Sequence, residues 1–198
     1  MERVRRLVPV EAALILLNGS PASGKSTLAE RLVSLRPLAL NLDIDLVRGQ
    51  LGGWLDQPAV AGLAARALAI SMINTHLGAG YDVVVPQLLA RPDFIEQLEG
   101  VAVAAGAEFV EIALDVTKDV AISAFEERRR APTHSTHRDA SDLVERSQSA
   151  DPVAEIYDAL QLLLETRPTC HRIDAPRGDI DKTLTSIRRT LSDHGLDW

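Results

Sequence analysis

Cysteine, aromatic residues and long apolar segments are all scarce in this 198-residue chain. Cys170 is the only cysteine, which excludes an intrachain disulfide; we interpret it as a small apolar residue of a protein in a reducing compartment. Aromatic residues make up only 4% of the chain, so Ala, Leu and Val must build the core. The apolar run 12–17 is too short to cross a bilayer. These absences favour a cytoplasmic protein without membrane attachment.

The charge balance is acidic, with 21 Lys and Arg residues against 28 Asp and Glu residues and a net charge of −7. Long nucleic acids are poor partners for such a surface, because neutralising phosphates requires clustered cations. A short oligonucleotide or a small polar molecule stays open as a ligand. The length fits a single domain over residues 1–198, as a monomer or a homodimer.

Five short apolar runs predict β-strands, and the segments between them have helical spacing. The segment 12–18 is apolar up to Leu17 and stops at Gly19, which is typical of a strand buried on both faces. The alternation of strands and helices predicts an α/β fold with a parallel sheet covered on both faces. The other predicted strands are 38–42, 82–86, 108–114 and 169–173. The predicted helices are 26–35, 44–50, 58–79, 92–104, 118–130, 152–166 and 179–192.

The turn between the first strand and the first helix carries a phosphate-binding pattern. It reads Gly19-Ser20-Pro21-Ala22-Ser23-Gly24-Lys25-Ser26, followed by Thr27. Glycines let backbone N–H groups point at a phosphate, and the helix N-terminus adds partial positive charge. Lys25 supplies a cation to the β- and γ-phosphates, and the Ser26 hydroxyl is a hard ligand for Mg²⁺. This pattern predicts that residues 19–27 bind ATP and Mg²⁺.

Two carboxylates follow the second predicted strand, at Asp43 and Asp45. Parallel strands of this fold class end at the edge of the sheet where ligands bind. A carboxylate there can accept a proton from a hydroxyl that attacks the γ-phosphate. The alternative is that an aspartate only caps the helix that follows.

With this phosphate loop and the segment Asp45-Leu46-Val47-Arg48, the chain resembles small P-loop kinases of the chloramphenicol-phosphotransferase, gluconate-kinase and polynucleotide-kinase type. The resemblance implies a three-layer α/β/α fold with strand order 2-3-1-4-5. It also implies transfer of the γ-phosphate of ATP to a hydroxyl of a small-molecule acceptor. Asp45 would be the general base and Arg48 an acceptor anchor. Asp43 competes for the role of base, or contacts Mg²⁺ through water.

The resemblance further implies a lid around residues 128–140. Arg128 takes the position from which a lid arginine reaches the transferring phosphoryl group, with Arg130 and Arg138 as alternatives. A solvated helix end is the competing interpretation of these cations. We interpret His134 and His137 as surface residues of a mobile segment, because no further metal ligand lies nearby in the sequence.

Three further residues are candidates for the pocket. Trp54 is expected to form a wall of the acceptor site. Arg177 is expected to stack over the adenine where the fifth strand ends. Gln87 follows the third strand where related kinases carry an acid that holds Mg²⁺ or its water shell. Gln87 can orient water or the acceptor but does not supply the charge of a carboxylate. Mg²⁺ would then depend on Ser26, phosphate oxygens and Asp43.

Two other functions stay open at this point. The missing acid after the third strand favours a nucleotide-binding regulatory or hydrolytic protein that has no acceptor. The Asp45-x-x-Arg48 spacing is compatible with a polynucleotide 5′-hydroxyl kinase, although the acidity of the chain counts against it.

Overall fold

The computed structural model describes residues 12–130 and 151–198, and within them it contains one parallel sheet flanked by helices. Apolar and β-branched residues dominate the central strands. The strands are β1 Ala13–Gly19, β2 Leu40–Asn41, β3 Val83–Pro86, β4 Glu108–Asp115 and β5 His171–Asp174.

The helices begin at favourable positions and several carry recognisable caps. Proline occupies the first turn of three of them, where its missing N–H costs nothing. Aspartate side chains cap the N-termini of three helices (α2, α6 and α7 below). The helices are α1 Lys25–Val33, α2 Ile44–Gly49, α3 Pro58–Gly78, α4 Pro92–Ala105, α5 Lys118–Arg130, α6 Pro152–Glu165 and α7 Ile180–Asp193.

The strand order is β2-β3-β1-β4-β5, and every pairing is parallel. β1 lies in the middle: Leu17 pairs with Pro86 of β3 and with Ile112 of β4. All seven residues of β1 are buried, because helices cover both faces of the sheet. The predicted fold class and strand order are confirmed.

Two apolar layers enclose the sheet. Leu14, Leu16 and Val85 face one layer, which is built mainly from α3 and α4. The intervening positions Ile15 and Leu17 face the other layer, which is built mainly from α1 and α7. Successive residues of β1 therefore stabilise opposite sides of the domain, as the two-residue period of a strand requires.

β2 is shorter than the predicted strand 38–42. Leu38 has a left-handed backbone (φ 61°), which is incompatible with an extended strand, so regular pairing starts at Leu40. The N–H of Leu40 donates to the carbonyl of Asp82, and the N–H of Leu42 donates to that of Val84. The strand is therefore short but still directs the chain towards the carboxyl edge of the sheet.

α3 is the longest helix of the described chain, at 21 residues. By length and by the mean hydropathy of its most apolar window, 1.2, α3 could cross a membrane. This is weak evidence, because core helices of soluble proteins meet the same criterion. In this fold one side of α3 packs against α2, α4 and β3.

A chain of hydrogen-bonding side chains joins the C-terminus of α7 to the amino edge of the sheet. Nδ1 of His194 lies 2.8 Å from Oε1 of Glu108, and Nε2 of His194 lies 2.8 Å from Nε2 of His171. A hydrogen bond between the two Nε2 atoms uses a single proton. If both rings were charged, each Nε2 would carry a proton and the two N–H groups would point at each other. Burial lowers the pKa of His171 below 6.5, the nearby His194 lowers it further, and the charge of Asp193 opposes them.

We predict that protonation of His171 destabilises the fold. A lowered pKa in the folded state means that the unfolded chain binds more protons, so stability falls as pH decreases below 6.5 towards the lowered pKa. His171→Gln should make the melting temperature less dependent on pH between about 7 and 5. Thermal unfolding at a series of pH values measures this, and an unchanged slope would contradict it.

Candidate functional site

The loop between β1 and α1 has a backbone that only small residues allow. A Cβ on Gly19 would lie 2.8 Å from Oγ of Ser23, shorter than real Cβ contacts, and 3.1 Å from the carbonyl oxygen of Leu114, which is also tight. Gly24, the N-cap of α1, is left-handed (φ 91°) and provides no side-chain cap. The N–H groups of the first turn of α1 are therefore directed at the loop without a capping side chain, which suits an anion.

The Lys25 ammonium group lies inside this loop. Nζ donates to the carbonyl oxygens of Gly19 and Ser20, each at 2.8 Å, and lies 3.4 Å from Oγ of Ser23. The lysine is thus held at the concave side of the loop by backbone dipoles. Its position is that of a cation ready to meet phosphate oxygens at the N-terminus of α1.

Asn18, which sequence analysis missed, fastens the loop to the segment that follows β3. Its side chain is completely buried. Oδ1 accepts from the N–H of Gly19 at 2.8 Å and of Leu89 at 3.0 Å, and Nδ2 donates to the carbonyl of Leu89 at 2.9 Å. The available signal was a polar residue ending an apolar strand just before the loop, since a fully buried amide must be hydrogen bonded.

The sequence-predicted residues Ser26 and Thr27 lie exposed in the first turn of α1. Within the described ranges, no group of three His, Cys, Asp or Glu side chains could hold a metal. The hard oxygen of Ser26, next to a phosphate loop, is still a suitable donor for Mg²⁺, which takes only one or two protein ligands and completes its shell with phosphate and water. The residues present therefore fit Mg²⁺ bound together with a nucleotide.

Asp43 caps α2, and the charge of Lys25 in the phosphate loop affects its pKa. Its Oδ1 accepts from the N–H of Asp45 at 2.9 Å and of Leu46 at 3.3 Å. Burial raises the pKa of the Asp43 carboxyl above its ordinary 3.8, and the charge of Asp45 raises it further. The two backbone donors and the charge of Lys25 act in the opposite direction. The capping alternative is thus observed, and the same carboxylate interacts electrostatically with the Lys25 ammonium group.

Asp45, Arg48 and Trp54 form one connected group on the same side of the site. Oδ1 of Asp45 lies 3.0 Å from Nη1 of Arg48, one helical turn away. The Arg48 guanidinium lies over the Trp54 ring, 4.9 Å from its centre, and Trp54 is buried. Arg48 is thereby immobilised, while its Nε has no hydrogen-bond partner in the described part of the chain.

Unpartnered polar atoms lie where three neighbouring strands end. Oγ of Ser20, Oδ1 of Asn41 and Oε1 of Gln87 are shielded from solvent and have no hydrogen-bond partner among residues 12–130 and 151–198. They belong to the ends of β1, β2 and β3. Buried polar atoms without protein partners indicate places where water or a ligand completes the hydrogen bonding.

A pocket lies on the other side of the phosphate loop, with an empty volume of about 400 Å³ that includes space open to solvent. Ala22, Ser23 and Gly24 of the phosphate loop line one part of it. The rest is largely apolar, which suits the faces of an aromatic base. Its apolar lining includes Val116, Val120, Ala124, Ala175, Pro176 and Ile180.

Arg177 also lines this pocket, where the sequence predicted an adenine contact. In the structure its guanidinium forms an ion pair with Glu127 of α5, with 3.0 Å between Nη1 and Oε1. Both side chains are about half exposed. The stacking of Arg177 over the adenine stays a prediction. The ion pair between Arg177 and Glu127 joins the loop after β5 to α5, the helix that leads into the predicted lid.

The predicted lid lies outside the described residues. Residues 131–150, with Arg138, His134 and His137, are not described, and neither is the side chain of Arg128. Of the neighbouring cations, Arg129 and Arg130 lie 3.6 and 4.0 Å from Oε2 of Glu126 within α5. The assignment of Arg128 to the phosphoryl group stays a prediction.

Sequence comparison identifies a match to one family model, described as AAA domain, over residues 14–152. The match begins in β1, includes the phosphate loop and ends at the start of α6. A search of curated proteins finds no significant match to the chain.

Solved structures share the architecture at low sequence identity. A candidate kinase from Chloroflexus aurantiacus is similar with a TM-score of 0.65 and 17% identity, over 94% of this chain and 99% of that one. The APS kinase CysC from Mycobacterium tuberculosis, in complex with AMPPNP and APS, is similar with a TM-score of 0.59 and 19% identity, over 93% and 99%. At these identities the likeness establishes the fold alone.

We predict that Lys25→Ala weakens binding of ATP with Mg²⁺ by about 10- to 100-fold, because charge-assisted hydrogen bonds to phosphate are lost. Calorimetric titration measures the affinity. Lys182→Ala is the matched control, since it removes an exposed lysine from the first turn of α7. Equal affinities of the folded Lys25→Ala protein and the wild type would remove Lys25 from the site.

Proposed function

Because this chain belongs to the AAA domain family, we propose that it is an ATP-dependent phosphotransferase that moves the γ-phosphate of ATP to a hydroxyl of a small-molecule acceptor. One observation carries the proposal: the complete phosphate loop stands beside a half-buried carboxylate, Asp43, whose pKa responds to the charge of Lys25. Asp43 also caps α2, so its role as a proton acceptor is part of the proposal and is tested below.

The nucleotide half of the site lies on the β4 and β5 side of the loop. The apolar pocket next to Gly24 would hold the base, and the loop N–H groups with Lys25 would hold the phosphates. Mg²⁺, when bound through Ser26 and phosphate oxygens, would neutralise charge on the β- and γ-phosphates. The kinase neighbours, one of them in complex with AMPPNP, support this arrangement at the level of the fold.

The acceptor half lies on the β2 and β3 side. Arg48, fixed between Asp45 and Trp54, would anchor the acceptor through its unpartnered Nε. The amide oxygen of Gln87 would accept from an acceptor hydroxyl or from water. The Trp54 ring packs against the Arg48 guanidinium. In this proposal Trp54 therefore acts on the acceptor indirectly, by positioning Arg48.

Asp43 is the better candidate for the general base. The sequence-based prediction named Asp45, and no contact in the structure tests it directly. Asp45 is engaged in an ion pair with Arg48, whereas Asp43 is partly desolvated and has a raised pKa. A carboxylate with a raised pKa is a stronger proton acceptor at neutral pH.

The proposed reaction is a single displacement. The acceptor hydroxyl gives its proton to the carboxylate while its oxygen attacks the γ-phosphorus, and ADP leaves with the electrons of the broken bond. Lys25 stabilises the charge that accumulates on the phosphate oxygens. Arg128 is proposed to contribute from the lid, as the sequence resemblance implies.

Hydrolysis or regulation without an acceptor is the second candidate. Gln87, rather than an acid, follows β3, so the metal shell has one protein charge fewer than in related kinases. A polynucleotide 5′-hydroxyl kinase is less favoured because the chain carries a net charge of −7.

The decisive experiment measures ADP formation with ATP and Mg²⁺ in the presence of panels of sugars, polyols, nucleosides, hydroxylated antibiotics and oligonucleotides. Mass spectrometry then detects an acceptor that has gained one phosphoryl group. ADP formation that is the same with and without every compound, with free phosphate as the product, would support hydrolysis instead.

We predict that Asp43→Asn lowers acceptor-dependent turnover by about 100-fold or more and leaves ATP affinity nearly unchanged. Asparagine keeps the cap of α2, so the fold is preserved. Wild-type turnover should fall as pH decreases through the raised pKa of Asp43, above 3.8, because the protonated carboxyl cannot accept a proton.

Asp45→Asn, in the first turn of α2, is the matched comparison. It should alter the KM of the acceptor by loosening Arg48, with a smaller effect on turnover. If Asp45→Asn is inactive while Asp43→Asn turns over normally, the base is Asp45 as first predicted from the sequence.

A further inference from the structure

The turn after β5 fixes the backbone of Arg177 beside the apolar pocket. The N–H of Asp179 donates to the carbonyl of Pro176 at 3.1 Å, and Gly178 is left-handed (φ 83°). These are the features of a type II turn, with Arg177 at its second position and Gly178 at its third. Only glycine adopts the third position without strain, so this turn determines where the arginine side chain leaves the backbone.

Glu127 belongs to the opposite wall of the same pocket. Val120 and Ala124 line the pocket from α5. Glu127 lies three residues beyond Ala124 and seven beyond Val120, so the three side chains share one face of the helix. The ion pair between Glu127 and Arg177 therefore connects the two walls, α5 and the turn after β5.

The contact between the two side chains is bidentate. Nη1 of Arg177 donates to Oε1 of Glu127 at 3.0 Å, and Nη2 donates to Oε2. Two such hydrogen bonds restrict the plane of the guanidinium as well as its position. They use the edge of the guanidinium that carries Nη1 and Nη2 and leave its two flat faces free for other contacts.

The ion pair orients a side chain and adds little to stability. The side chains of Arg177 and Glu127 are 54% and 53% exposed, and ion pairs in that environment stabilise a fold only slightly. Substitution of either residue should therefore leave the domain folded, and the effect on a ligand can be measured separately.

The surroundings of Arg177 favour an aromatic ligand over an anion. Among the described residues that line the pocket, Arg177 is the only charged one, and Glu127 neutralises its charge. A flat guanidinium face beside apolar side chains is complementary to a nucleobase, whose π system attracts a cation. Ala22, Ser23 and Gly24 border the same pocket, so a base bound there lies next to the phosphate loop.

We propose that Glu127 is a positioning residue for nucleotide recognition, which holds the Arg177 guanidinium in the orientation in which its flat face packs on the nucleobase. The inference rests on the nucleotide half of the proposed function and assigns Glu127 a role that acts only through Arg177. Transfer to an acceptor plays no part in it, so a protein that only hydrolyses ATP would fit it equally well.

Calorimetric titration with ATP and with inorganic tripolyphosphate, each with Mg²⁺, separates the base contact from the phosphate contacts. Both ligands carry three phosphates, so the ratio of their affinities largely cancels the long-range effect of a changed protein charge. The wild type should bind ATP more tightly than tripolyphosphate. Arg177→Gln should reduce this preference by about 10-fold and Glu127→Gln by about 5-fold, because the contact of the guanidinium with the base is lost or misaligned.

Glu126→Gln is the matched control, since it removes the same charge from the neighbouring position of α5. The Glu126 carboxylate faces Arg129 and Arg130 instead of Arg177. This variant should keep the wild-type preference for ATP. Circular dichroism checks that each variant is folded.

Two further variants distinguish positioning from a structural role. If Glu127 acts only through Arg177, adding Glu127→Gln to Arg177→Gln should reduce the preference for ATP no further. Arg177→Lys keeps the charge but lacks the flat face, so it should lose the preference nearly as much as Arg177→Gln does.

An unchanged preference in Glu127→Gln, or an equal loss from this substitution with and without Arg177, would overturn the inference. So would an Arg177→Lys variant with the wild-type preference. A wild type that binds ATP no more tightly than tripolyphosphate would overturn it while leaving the phosphate site in place. A protein that binds neither ligand would overturn the proposed nucleotide site and this inference together.

Discussion

Burial of β1 on both faces is the constraint that determines where the candidate site lies. Because all seven residues are buried, β1 must lie in the middle of the sheet, with a helix layer on either side. The phosphate loop then leaves the centre of the carboxyl edge. The ends of β2 and β3 on one flank provide Asp43 and Gln87, and the ends of β4 and β5 on the other provide the walls of the apolar pocket. The proposed nucleotide half and acceptor half of the site therefore lie on opposite flanks of this one loop, where ligands of open α/β sheets bind.

The hydrogen bonds of Asn18 connect these halves. A single amide holds both the first peptide of the phosphate loop and the backbone of Leu89, 71 residues away in the sequence. Because the amide is completely buried, each of these bonds is protected from competing water. The segment between Gln87 and Leu89 is therefore held close to Gly19.

Local chemistry made much of the fold predictable, and long-range contacts account for what was missed. The apolar run 12–18 and the glycine pattern after it depend on neighbouring residues, so the strand, the loop and α1 could be inferred together. The strand order required a resemblance, since periodicity does not report which strands are adjacent. The contacts of Asn18 with Leu89, Arg177 with Glu127 and His171 with His194 join residues distant in sequence, and no local pattern predicts them.

The edges of the sheet have a consequence for the aggregation of this protein. An unpaired strand edge is a template for another chain, and its risk grows with its length. One edge here is β2, with two residues, and the other is β5, with four. Such short edges offer little backbone to a foreign strand, so extended intermolecular sheets, the route to amyloid-like aggregation, are disfavoured.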